Sequence, residues 1–418
     1  MVKKLNNHIC VIGSGIVGIC TALHLMKKKW SVSLIDPNGP ASKASSGNAG
    51  LIAASHVTPV SSPAVLKQVP GMLLDPNSSL VISYSYLPQL IPWLFRFVVA
   101  GRPKKFMEYS KNLSELLRDT YTAYEPLVYD ANCRNLIKKK GLLIALTSDD
   151  SLKKIKPELS LKESLGVKYE IYNQDKIKRI LPDIDSIVKH AIFYENVSHI
   201  TDPYMFAIKL FENFKKQGGK HYLQQVKSFK TEKKIVKSVV TDQDEISTDA
   251  VVVCAGAWSK KLAYQLGANV PLETERGYSV SLPNPGINIS HPVISGDLRF
   301  CATPMGDSIR LAGTVELASI EAPEKKSRYS LMIKHALRLF PSLNIAGASY
   351  WMGHRPSMPD SLPVIGESPI YENGYFAFGH GHIGLTVAAV TGKIIAELVS
   401  GGTTSIDIKP FDSRRFKF

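Results

Sequence analysis

Cysteine is scarce in this chain. Five residues, Cys10, Cys20, Cys133, Cys254 and Cys301, stand far apart in 418, with no CxxC pair. That excludes a disulfide framework and a cysteine zinc site, and suits a reducing cytoplasm. The eleven histidines include no HExxH spacing, so no metal site is expected. Acidic residues run short as well: 36 Asp and Glu face 51 Lys and Arg, for a net charge of +15. Such an excess attracts nucleic acid, anionic lipid or acidic metabolites. Yet clusters such as Lys27–Lys29 and Lys138–Lys140 lack the interleaved aromatics of a single-strand-binding groove, and no nucleic-acid partner is expected.

Clean apolar runs are also missing. Lys3 and Lys4 before the apolar stretch Ile9 to Met26 imitate a signal peptide, but Gly13, Ser14, Gly15 and Gly18 break it and no small-residue cleavage site follows. Export is rejected. Pro76 to Phe95 carries no charge, but two further prolines and several polar residues interrupt it, making a poor membrane span. Its aromatics Tyr84, Tyr86, Trp93, Phe95 and Phe97 stand beside Arg96, Arg102, Lys104 and Lys105. Two readings stay open: a segment lying on an anionic membrane, or a helix pair closing a substrate domain.

What is present has the length of two domains and an ordinary globular composition, 44% hydrophobic and 21% charged. Ile9–Ile12 reads as a buried strand, the glycines after it open a helix to about Lys28, and Ser31–Ile35 is the next strand, a βαβ opening. Residues 76 to 130 read as helices punctuated by proline, and Asn135 to Leu146 as paired strands about Gly141. Pro203 to Lys216 is an amphipathic helix capped by Asp202, and Ala250–Cys254 a second apolar strand. The last helix runs from about Gly384 to Val399. Together these imply a nucleotide-binding α/β domain assembled from separated segments, with a largely β-sheet domain inserted.

Gly13-Ser14-Gly15-Ile16-Val17-Gly18 sits at the strand-to-helix turn. The first glycine permits the turn, the second admits a pyrophosphate, the third allows close helix packing, and the helix N-terminus faces the phosphates. Asp36 ends the second strand, placed to accept from ribose hydroxyls. Two downstream turns favour FAD over NAD: Ala255-Gly256 after the second apolar strand, and Gly379 to Thr386 ahead of the last helix. A second helix N-terminus suits the electron-rich edge of a flavin.

With Ser45-Ser46-Gly47-Asn48-Ala49-Gly50-Leu51-Ile52, Arg276-Gly277-Tyr278-Ser279 and the stretch Gly353-His354-Arg355-Pro356 to Gly366, these motifs make the chain resemble the D-amino-acid oxidase superfamily. It is most like bacterial D-amino-acid dehydrogenase small-subunit-like proteins. The resemblance spans nearly the whole chain and implies a Rossmann-type FAD-binding domain in discontinuous segments, 1–75, 195–265 and 350–418. It implies an inserted α+β substrate domain on a mostly antiparallel sheet, 76–194 and 266–349. It also implies that Asn48, Ala49, Gly50 and Leu51 pass the reactive flavin edge and that Ser45 and Ser46 bind the cofactor. Gly381, His382, Gly384, Leu385 and Thr386 then form the second flavin turn, and Arg355 clamps the substrate carboxylate. Tyr278 is expected either to face the substrate or to be a core tyrosine. His56 is expected at the pocket wall with no chemical role.

The sarcosine-oxidase cysteine has no counterpart near Ser357-Met358, so FAD is expected to be non-covalent. The implied reaction is oxidation of a D-amino acid to a 2-oxo acid and ammonia, hydride passing from Cα to flavin N5. Electrons are expected to go on to a quinone or other acceptor. A cyclic imino acid such as D-proline or D-hydroxyproline, or glycine or sarcosine, is the substrate alternative; an RNA-modifying flavoprotein is the rival from another class. The expected location is the cytoplasm, with peripheral contact on the inner face of the cell membrane.

Overall fold

A computed structural model describes residues 7–75 and 78–416; Lys3, Lys4, Pro76 and Asn77 lie outside the described residues. Two sheets organise it. The first runs in the order Lys220–Tyr222, Ser31–Ile35, His8–Ile12, Ala250–Val253, Gly374–Phe378 and Val364–Glu367, parallel throughout except for the last strand. Its strands are apolar on both faces because both are covered. Ile9, Val11, Val32, Leu34 and Val252 pack on one side against the helices Ile16–Lys27, Pro203–Lys216 and Gly384–Val399. Cys10, Ile12, Ile35, Val251 and Val253 pack on the other, against the three-stranded layer 226–247 and the helix Ser259–Gln265. All five cysteines are buried and unpaired.

The first and last helices cross closely: a Cβ on Gly392 would stand 2.7 Å from the Cys20 carbonyl carbon. Gly381–Val399 has the length and apolarity of a membrane span, but most of it is buried in this packing.

The second sheet is mostly antiparallel and contains Ser349–Ser357, Glu273–Pro283, Ser308–Leu317, Phe300–Met305, Val293–Ser295, Leu142–Leu146, His190–Tyr194 and Glu170–Asn173, in that order. Leu80–Ile82 adds to Ser308–Leu317 in parallel, and Val293–Ser295 joins Leu142–Leu146 in parallel. The helix Ser327–Leu339 covers one face through Tyr329, Met332, Ala336 and Leu339.

Several details differ from the sequence reading. Ile137–Lys138 and Leu142–Leu146 are not a pair: the first joins Val197–Ile200, the second the large sheet. Gly141, at φ +77°, is where the chain turns from one to the other. The strand carrying Arg355 belongs to the large sheet, although residues 350–418 read as part of the dinucleotide domain. Helices Pro103–Arg118 and Thr120–Asp130 pack through Leu113, Leu116, Leu117, Tyr124 and Leu127 into the dinucleotide core, although 76–194 read as substrate domain.

Candidate active site

Between the two sheets lies a cavity of about 650 Å³, walled by residues of both. Its volume lies in the range of small-molecule sites. At one end is the glycine turn. Gly13 takes φ +106°, and a Cβ there would stand 2.5 Å from the Cys254 carbonyl oxygen. A Cβ at Gly18 would lie 1.9 Å from the Gly13 oxygen, so only glycine lets helix and strand meet. At Gly15 a Cβ would meet only Ser45 Oγ, at a tight 3.3 Å. The Ser45 hydroxyl accepts from Ile16 N at 2.9 Å and so serves the helix start that Gly15 cannot cap. Asp36 accepts from Ser14 N and Asn38 N, both at 2.9 Å, which fixes its carboxylate at the cavity edge.

Gly13, Gly15, Ile16, Val17, Asp36, Ser45, Asn48, Ala49, Gly50 and Leu51 all line this one cavity, as do Ala255, Gly256, Gly381, His382, Gly384, Leu385 and Thr386. Three expected cofactor residues do not. Ser14 is fully buried behind the turn, Gly18 packs on Gly13, and Ser46 bonds back to the Lys43 carbonyl at 2.9 Å. They shape the cradle from behind. A glycine-only turn, a helix start facing the space, and a carboxylate at the second strand end fit FAD.

The loop expected at the flavin edge is fastened from three sides. Asn48 bonds the Ser45 carbonyl and accepts from Gly50 N, both at 2.8 Å. Arg310, unforeseen in the sequence, reaches across from the large sheet to the Ser46 and Asn48 carbonyls at 3.1 and 3.0 Å. Thr386 bridges from the last helix, accepting from Ala53 N at 3.1 Å and donating to the Leu51 carbonyl at 3.2 Å. Trp351 closes another wall: its indole leaves no space for a Cβ at Gly47 or Gly353, which would come within 2.1 and 2.0 Å of the ring.

Arg355 projects into the same cavity, half-buried. Nη1 donates to the Thr314 carbonyl at 3.1 Å, and Thr314 adopts φ +55°, a left-handed conformation costly for a β-branched residue. Glu275, buried and directly opposite Arg355 in the strand register, partly balances the guanidinium. Burial pushes the Glu275 carboxyl up and Arg355 opposes the shift. With one bond to a carbonyl, most of the fork's donors remain for a carboxylate.

Tyr278 is corrected. It is among the residues bordering the cavity, but its side chain is fully buried beside Tyr329, with ring centroids 5.1 Å apart. The phenol donates to Glu316 and accepts from Lys325 N at 3.1 Å. Successive residues on a strand face opposite ways, and the neighbouring Gly277 is the one facing Arg355. The core alternative is the one realised.

Four histidines line the cavity: His56, His354, His380 and His382. Burial pushes His382 down to about 4, with Arg355 adding to the shift; burial, Lys162 and His382 push His56 down to about 3. No group of His, Cys, Asp and Glu suited to a metal occurs among the described residues.

The chain matches known proteins over nearly its whole length. The chain is 34% identical over 420 residues to a D-amino-acid oxidase of Bradyrhizobium diazoefficiens, covering 98% of this chain and 99% of the relative. It is 29% identical to a D-amino acid dehydrogenase of Vibrio atlanticus, with 98% and 99% covered. The fold matches that of glycine oxidase from Geobacillus kaustophilus, with a TM-score of 0.78, 18% identity, and 98% and 99% of the two chains covered. L-proline dehydrogenase from P. horikoshii matches at a TM-score of 0.74, with 20% identity and coverage of 98% and 97%. A family model described as DAO, FAD dependent oxidoreductase, matches residues 8–398, and the chain belongs to that family.

Proposed function

We propose that this enzyme oxidises a D-amino acid to its imino acid, which water converts to a 2-oxo acid and ammonia, with electrons passing on to a quinone or another acceptor. The observation that carries the reading is Arg355, which presents unused guanidinium donors to the cavity that the dinucleotide turn also lines. The names of the two whole-length relatives support the amino-acid substrate and its configuration. Small cyclic imino acids and glycine remain the substrate alternative, favoured by the likeness in fold to glycine oxidase and L-proline dehydrogenase.

Bound FAD supplies the two-electron acceptor; the chain supplies position. Arg355 holds the carboxylate in a two-pronged grip, which fixes where Cα lies. Thr314 and Glu275 hold the guanidinium. Trp351, Gly47 and Gly353 bring one wall in close, excluding water from the reacting face. The sites of Gly15, Ser45 and Asp36 would take the dinucleotide, and the start of the last helix would face the flavin edge.

The membrane reading takes an altered form. Leu90 and Trp93 of the helix Leu87–Ala100 are core, packed with Leu317. Ile91, Phe95 and Val98, at helical spacing on the opposite side, are exposed by 57%, 69% and 51%. Beside exposed Arg102 and Lys104 they form a stripe suited to an anionic bilayer, where the enzyme would meet a quinone. The test of the whole reading is anaerobic bleaching of the purified flavoprotein by D- and L-amino acids, then reoxidation by quinone or by oxygen. Bleaching by L-amino acids alone, or by none, overturns it.

A further inference from the structure

Carboxylates are nearly absent from the cavity wall. Among the described residues Asp36 is the one acid that lines it, and both its oxygens are engaged at the dinucleotide turn. An amino acid at neutral pH arrives with its nitrogen protonated, and hydride can leave Cα only once the nitrogen lone pair is free. Some group must take that proton, and the wall offers imidazoles. His380 is committed to Thr391 at 3.1 Å, and His354 to Thr274 at 3.1 Å with its ring edge-on to Trp258. The imidazoles of His56 and His382 make no side-chain hydrogen bond among the described residues. Their ring centroids lie 6.0 Å apart, tilted by 50°.

We propose that His382 accepts the ammonium proton of the bound substrate and that His56 is the neighbouring acceptor on the same cavity wall. The N–H bond of the ammonium breaks, its electron pair stays on nitrogen, and the proton bonds to an imidazole nitrogen. This rests on Arg355 holding the carboxylate, because the amine lies only two bonds from that group and must fall beside the guanidinium. His382 is the imidazole that feels the Arg355 charge while lacking a partner of its own.

Burial and the cations around the pair hold both rings in the neutral form. Arg355, with Glu275 behind it, faces His382 from the sheet, and His380 lies on the same turn. Lys162, paired to Glu158 at 3.0 Å, faces His56 from the helix Asp149–Ser164. Both rings are therefore neutral at physiological pH, the acceptor form.

The test compares the holoenzyme with His382→Gln, which keeps a polar side chain but cannot hold a proton. At neutral pH kcat/KM should fall about a hundredfold, the usual worth of a positioned base. It should then climb about tenfold per pH unit toward the pKa of the amine, since only free-base substrate reacts. Imidazole in the buffer should restore much of the loss. Binding is followed separately by calorimetry with 2-aminoisobutyrate, which has no Cα hydrogen to lose, and with isobutyrate, which has no amine. The variant should lose affinity for the first alone.

A pH profile parallel to wild type with no response to imidazole overturns the proposal. If His382→Gln fails to retain flavin, His56→Gln is measured in the same way; it should show a smaller loss that imidazole also restores, and no response overturns the proposal there too. Unchanged isobutyrate binding by Arg355→Ala would instead remove the carboxylate clamp, a separate failure.

Discussion

The Arg355 guanidinium lies over Gly277: a Cβ built on that glycine would stand 2.3 Å from Nη2 and 2.4 Å from Cζ. The two strands pair in register, with Glu275 opposite Arg355 and Gly277 opposite Gly353, so Arg355 reaches its glycine along the diagonal. Gly277→Ala should therefore move the end of a flexible side chain and little else. Thermal stability should stay near wild type while KM for the amino acid rises steeply and flavin content holds. A melting temperature that collapses with activity would show that the glycine serves the backbone.

Removing the guanidinium is the stronger test of the clamp. Losing one partner of a desolvated charge pair costs on the order of 3–5 kcal/mol, so Arg355→Ala should lower kcat/KM by about a hundredfold or more. Arg355→Lys should recover part of this, because an ammonium keeps the charge but not the fork. Amines without a carboxylate should lose far less. If the alanine variant keeps its kcat/KM for amino acids within about threefold, the substrate class has to be reopened.

The three turn glycines should separate cleanly. Gly18→Ala sets a methyl against a backbone oxygen that cannot yield, so loss of fold is expected. Gly15→Ala meets only the Ser45 hydroxyl, at 3.3 Å, which a small shift of that side chain relieves, and yellow protein should survive; Gly15→Leu reaches into the cavity proposed for the pyrophosphate and should give colourless, folded protein. Acid precipitation of the parent should release FAD into the supernatant.

Those glycines were legible in the sequence because their spacing is local: strand, turn and helix lie within eleven residues of one another. Arg355 was legible through the motif around it. Gly277 as its bed was not, because that depends on the register of two strands far apart in sequence. Arg310 gave no signal for the same reason, since its partners are carbonyls of a distant loop. The sequence left Tyr278 open between pocket and core because the direction of one side chain turns on strand alternation and a bulge beside Arg276. The aromatic segment 84–97 divided for a related reason: helical periodicity sends Trp93 inward and Phe95 outward.

That division makes the membrane reading testable. Exchanging Ile91, Phe95 and Val98 for serine should weaken binding to anionic liposomes while dye-coupled activity in solution persists. High salt should weaken the parent's binding, since cations flank the stripe. Trp93→Ser is the contrast: it empties a core site whose indole donates to the Ser357 carbonyl at 3.3 Å, so stability should fall. Liposome binding by the triple variant equal to that of the parent would remove the stripe from the argument.

Tyr278 closes on the opposite outcome, stability without chemistry. Glu316 and Arg276 are both wholly buried and 3.1 Å apart, and Lys325 Nζ reaches the other Glu316 oxygen at 2.9 Å. Arg276 also donates to the Ala322 carbonyl at 2.9 Å, so the cluster ties the strand Glu273–Pro283 to the loop before the helix Ser327–Leu339. The Tyr278 hydroxyl is the neutral member. Tyr278→Phe removes its bond to Glu316 and leaves Lys325 N without an acceptor, a loss of about 1–3 kcal/mol. The carboxylate keeps two cations, so the cluster should hold and the fold survive. Glu316→Ala is harsher, because it strands the Arg276 charge in the interior at a cost of about 3–5 kcal/mol. Arg355 touches neither residue, so kcat/KM of Tyr278→Phe should stay within about threefold of wild type while its melting temperature drops. A large fall in kcat/KM with unchanged stability would return the phenol to the substrate side.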